Sequence, residues 1–99
     1  MLERETTVES FEQLYSFVHE TLCESENLLA DQFQTTRRPL FSKGVLCAIE
    51  FSLHGLRAIR LGAIWAAEQN VIFFYNARGE RALKIKLTNR LSPEHLAAG

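Results

Sequence analysis

From Val8 onward the apolar residues fall at Phe11, Leu14, Tyr15, Val18, Leu22, Leu29 and Phe33, the three-and-four spacing of a single helical face. Thr6, followed three residues later by Glu9, has the form of a capping box, and the early glutamates suit the positive end of a helix dipole. A long N-terminal amphipathic helix is predicted over about residues 7–33. It is expected to bend or break at Cys23-Glu24-Ser25-Glu26-Asn27, where residues that favour caps and solvent replace apolar ones.

Residues 34–43 read as a connector, because Pro39 disfavours a helical Arg38 and two threonines precede them. The hydrophobic period then drops to two. Val45, Cys47, Ile49, Phe51 and Leu53 alternate with Leu46, Ala48, Glu50, Ser52 and His54, the pattern of a half-buried strand. His54-Gly55 is suited to a tight turn, after which Ile59, Leu61, Ala63 and Trp65 alternate with Ala58, Arg60, Gly62, Ile64 and Ala66. Turns at residues 67–70 and 76–80 bracket Val71–Tyr75, which is β-branched and aromatic throughout, and Ala82–Leu87 supplies a fourth strand.

The expected fold is α+β: the helix packed on a four-stranded antiparallel meander over about residues 44–88, with a short tail at 89–99. In the tail, Ser92-Pro93-Glu94 offers a cap for one helical turn or frays. In outline this resembles the cystatin-like and hot-dog shapes, in which a sheet wraps a helix. The resemblance is one of architecture and implies no activity.

A chain of 99 residues has room for one hydrophobic core, so residues 1–99 are read as a single domain. Its hydrophobic fraction of 46% argues against a disordered chain. Neither a secretory hydrophobic core nor a membrane-spanning run is seen, and Cys23 and Cys47 form no paired motif; a cytoplasmic protein with reduced thiols and no membrane partner is expected. The net charge of −1 hides an asymmetry: residues 1–36 hold eight acidic residues and one basic, residues 37–99 ten basic and four acidic.

One sheet face must bury the helix, and the odd-numbered residues of the first, second and fourth strands are its expected lining. The outer face then carries Leu46, Ala48, Ala58, Ile64 and, depending on register, Ile72 and Phe74. That is too apolar for bare solvent, so a homo-oligomer or a protein partner is expected to cover it, with cover by the tail around Leu91 and Leu96 as the intramolecular alternative. The first strand of the meander is expected at the sheet edge, open to pairing.

Arg57, Arg60, Arg78, Arg81, Lys84 and Lys86 form a second candidate, a basic sheet with nearby aromatics for single-stranded nucleic acid. The pI near 6.3 and the lack of a recognition fingerprint favour a solvated or internally paired face instead. His19 and Cys23 lie four apart on the helix, and Cys47 on the first strand makes a weak third metal ligand; helical spacing produces such pairs by chance. No phosphate loop, nucleophile elbow or metalloprotease motif occurs, so no catalytic residue or cofactor is assigned. A pocket between helix and sheet is the only place left for a ligand or reaction.

Overall fold

A computed structural model of the chain describes residues 2–55 and 59–91. It is α+β, with one α-helix, α1 (Phe11–Ser25), on one face of an open six-stranded sheet. The strands are β1 (Leu2–Thr6), β2 (Thr35–Ser42), β3 (Val45–His54), β4 (Arg60–Ala66), β5 (Val71–Tyr75) and β6 (Arg81–Leu87). Their order across the sheet is β1-β6-β5-β4-β3-β2. β2 to β6 form an antiparallel meander, and β1 joins β6 in parallel. The four predicted strands are β3 to β6, and the two extra strands cover both of their edges.

β2 occupies the predicted connector. Arg38 is extended because it precedes proline, and Pro39 is tolerated because β2 is an edge strand, where one missing N–H costs no ladder bond. β3 is therefore an interior strand rather than the expected edge. β1 uses a stretch whose burial is low, and its pairing comes from the exposed flank of β6.

The helix is shorter than expected at both ends. Thr6 is committed to β1, opposite Leu87, so the cap falls to Ser10, whose hydroxyl accepts from the Gln13 N–H at 3.1 Å. Gln13 Oε1 in turn accepts from the Glu9 N–H at 3.0 Å, one residue before the cap, in a variant of the capping box one turn later than the sequence suggests. At the other end Asn27 takes a left-handed φ of 55°. The Leu28 N–H bonds to the Cys23 carbonyl at 2.8 Å and the Asn27 N–H to that of Glu24 at 3.2 Å, which is a Schellman stop in the segment where a break was expected. Leu28 and Phe33, before and after a short 3-10 turn at Ala30–Gln32, still pack against the core.

α1 buries Phe11, Leu14, Val18, Leu22 and Cys23 against Ile49, Phe51, Leu53, Leu61, Ala63, Trp65, Ile72, Phe74, Ile85 and Leu87. Phe11 meets Trp65 edge to face at 5.5 Å, and Phe17 meets Phe74 at 6.4 Å. Leu91 joins this inner core. Residues 92–99, with the predicted helical turn, Leu96 and its cover of the outer face, lie outside the described residues.

One bulge changes the parity of β3. Leu40 pairs with Ala48 but Phe41 with Leu46, so Cys47 is the unpaired extra residue. Leu46 consequently turns inward and is 4% exposed, whereas Val45 and Cys47, expected inside, are exposed. The connection after His54 is also longer than a tight turn. β4 begins at Arg60, and the Gly55 N–H closes the loop on the Ile59 carbonyl at 2.8 Å.

Candidate interaction surface

Cross-strand pairing settles which side chains share the uncovered face. Residues directly opposite one another in a ladder point the same way. Ile64 pairs with Glu50 and Phe73, and Phe73 with Lys84. Ala66 pairs with Ala48 and Val71, and Ala48 with Leu40. Trp65 opposite Ile49 and Ile72, and Ala63 opposite Phe51 and Phe74, form the helix-facing set.

Of the expected outer-face residues, Ala48 and Ile64 lie there, both half-buried. Leu46, Ile72 and Phe74 do not. They are 4%, 0% and 4% exposed on the helix side, Leu46 because of the bulge and the other two because Ile72 is in register with Trp65. Their places are taken by Val71, Phe73 and Tyr75, whose parity could be assigned only from the β4–β5 register. Ala58 lies outside the described residues.

The outer face thus has an apolar centre of half-buried Phe73, Ile64, Ala66, Ala48 and Leu40, spread over four strands, with Val71 on the same face but only 5% exposed. Charged groups flank it. On one side Lys84 meets Glu3 at 3.6 Å, and on the other Arg38 donates to Glu50 at 3.0 Å. The β1 end forms an open groove of about 810 Å³ walled by Glu3, Glu5, Lys84 and Lys86 with Val71 at its floor.

The basic candidates separate. Arg81, Lys84 and Lys86 share the outer face of β6, Arg60 lies on β4 opposite His54, Arg78 stands in the β5–β6 turn, and Arg57 lies outside the described residues. Two of the three β6 cations, Arg81 and Lys84, are engaged within the chain. Arg81 stacks 4.3 Å from the Phe73 ring and donates from Nε to the Tyr75 hydroxyl at 3.0 Å, and β1 sets Glu3 and Glu5 in register with Lys84 and Lys86.

The suggested metal set is not assembled. Cys23 Sγ lies 3.8 Å from His19 Nε2, but Cys47 sits exposed in the bulge, and no cluster of three metal-binding side chains occurs among the described residues. His19 serves the fold instead. Its Nε2 donates to the Ala30 carbonyl at 2.8 Å, and its Nδ1 pairs with the Thr35 hydroxyl at 2.7 Å, tying α1 to the chain leading into β2. The Tyr15 hydroxyl donates to the Thr35 carbonyl beside it, under the Arg37 guanidinium at 5.1 Å.

Between helix and sheet lie an open groove of about 540 Å³, walled by Glu12, Tyr15 and Ser16 of α1 and Thr35, Thr36 and Arg37 of β2, and a more enclosed hollow of about 140 Å³ lined by Phe11, Arg37, Pro39, Ile49 and Phe51. Ligand sites usually run to roughly 300–1,000 Å³, a range that the enclosed hollow does not reach. Comparison of the chain with protein-family models, curated proteins and solved structures returns no match.

Proposed function

We propose that this chain is a small protein-interaction module that works through the outer face of its sheet. The apolar band from Phe73 across Ile64, Ala66 and Ala48 to Leu40, which no described element covers, carries that reading. Its form fits a protein partner: an apolar centre ringed by charges is the anatomy of an interface core and rim. A nucleic-acid role for the same face is less well supported, because the β6 cations are interleaved with Glu3 and Glu5 and Arg81 is engaged with two aromatic rings.

Ile64→Glu tests the reading. Ile64 is half-buried and flanked on the same face by Glu50 and Phe73, so a carboxylate there stays hydrated in the free chain and is desolvated in any complex using the band. The variant should keep its circular dichroism and thermal transition but lose self-association or partner capture by at least about a hundredfold. Assemblies of unchanged affinity would overturn the proposal.

A further inference from the structure

Resting on the reading of the outer face as a protein interface, we infer that its occupant is a second copy of this chain, related by a twofold axis parallel to the strands. The central cross-strand row runs Glu3, Lys84, Phe73, Ile64, Glu50, Arg38 from β1 to β2. In character it is acidic, basic, apolar, apolar, acidic, basic. Read backwards, every charge is replaced by its opposite while the centre stays apolar.

That pattern distinguishes the ways in which two such faces can stack. Aligned sheets pack about 10 Å apart at roughly 30°, and a self-complementary pair then has its axis either across the strands or along them. An axis across the strands lays each strand over its own copy. Lys84 would meet Lys84, Glu50 would meet Glu50, and the bulky Phe73 would meet Phe73.

An axis along the strands lays β1 over the second copy's β2, β6 over β3 and β5 over β4. Glu3 then faces Arg38, Lys84 faces Glu50, and Phe73 faces Ile64. The match tolerates the roughly 30° rotation. Both outward residues of β1 are acidic and all three of β6 are basic, so a shift along the strand keeps the signs opposed. The intrachain pairs Glu3–Lys84 and Arg38–Glu50 become four-charge clusters at the two rims, where solvent limits their desolvation.

Side-chain size selects the same axis independently. Phe73 and Tyr75 on β5 would seat over Ile64 and Gly62 on β4, larger over smaller in each case, while Val71, opposite Ala66, is only 5% exposed and adds little. Nothing in the chain's own packing demands glycine at 62: a Cβ there would stand 3.5 Å from the Phe51 carbonyl, an ordinary contact. Tyr75 is tied by its hydroxyl to Arg81 on β6, the neighbour on the side away from Gly62. Six strands about 4.8 Å apart and about 20 Å long give a face of roughly 500 Å² in projection, so full contact reaches the approximately 1,000 Å² at which specific interfaces begin. The dimer is accordingly a modest, concentration-dependent one.

The test is charge reversal with rescue, read by native mass spectrometry and sedimentation from low micromolar to submillimolar protein. Wild type should dimerise. Glu50→Lys and Lys84→Glu each create two like-charge contacts and should each weaken the homodimer about tenfold or more. An equimolar mixture of the two should form heterodimer in preference to either homodimer, because both rim contacts are then of opposite sign. The chain carrying both substitutions should dimerise again.

A wild type that stays monomeric throughout overturns the second copy as occupant, while Ile64→Glu loss of a captured protein would still support the interface reading. A dimer broken by Ile64→Glu but indifferent to the charge reversals, or not rescued by mixing, overturns the strand-parallel axis alone. A dimer that survives Ile64→Glu overturns both. Circular dichroism of each variant separates loss of pairing from loss of fold.

Discussion

Asn70 is one of two buried polar residues among those described, and its side chain joins three parts of the fold. Its Oδ1 accepts from the Trp65 indole at 3.0 Å, and its Nδ2 donates to the Leu87 carbonyl at 3.4 Å and the Asn89 carbonyl at 2.5 Å. Its backbone sits at φ 55°, which asparagine tolerates better than most residues. Asn70→Ala leaves the buried indole N–H without an acceptor and places a Cβ-only residue in a left-handed conformation, so unfolding followed by Trp65 fluorescence should show a loss of about 3 kcal/mol. Burial also pushes the Cys23 thiol above its ordinary 9.0. The unfolded thiol ionises first as pH rises, so the folded state loses stability on the alkaline side of 9.0, and Cys23→Ala should flatten that part of the stability profile. In the native protein Cys47, exposed in its bulge, should be alkylated by maleimide well before Cys23, as peptide mass mapping will show.

At the scale of elements, local chemistry chose the helix ends but tertiary pairing chose among the local options. Two cap patterns compete at the N-terminus, Thr6-x-x-Glu9 and Ser10-x-x-Gln13, and sequence spacing does not rank them. Pairing of Thr6 with Leu87, reinforced by the Thr88 N–H bond to the Thr6 carbonyl at 3.0 Å, removes the first. Ser10→Ala should therefore cost about 1 kcal/mol in chemical denaturation, with the loss recovered by Asp at the same position. β2 illustrates the converse. Gln34 to Ser42 has no alternation to announce a strand, and Arg37 and Pro39 point toward the helix side without the apolar character that periodicity detects. The strand exists because β3 offers it an unpaired edge and the Tyr15 and His19 side chains fasten Thr35.

For the whole molecule, the sheet is buried on one side by a single helix, and its other side carries an apolar centre flanked by charged residues. The acidic N-terminal and basic C-terminal segments noted in the sequence meet where β1 lies beside β6, which turns a compositional asymmetry into a charge pattern across one face. Loss of assembly in Ile64→Glu, and loss and recovery of assembly in the paired charge reversals, belong to this scale, since Ile64, Glu50 and Lys84 all lie on the uncovered face of the sheet and outside the buried core. No helix among the described residues is long and apolar enough to cross a membrane.

The local pattern located the helix body, strands β3 to β6 and the Asn76–Glu80 turn, because each depends on the nearest few residues: one apolar stripe, an alternation, an Asx bond. It marked residues 23–27 as a bend or break within a helix running to about residue 33, whereas the helix ends there, at Ser25, in a Schellman stop at Asn27. The two outer strands, the inward turn of Leu46, and the exchange of Val71, Phe73 and Tyr75 for Ile72 and Phe74 on the outer face were decided by long-range pairing. A strand's face is defined relative to its neighbour, and a single-residue slip or bulge exchanges every side chain between core and surface. The candidate interface was therefore visible beforehand only as an excess of apolar residues, and its membership and charge order emerged once the six strands were in register.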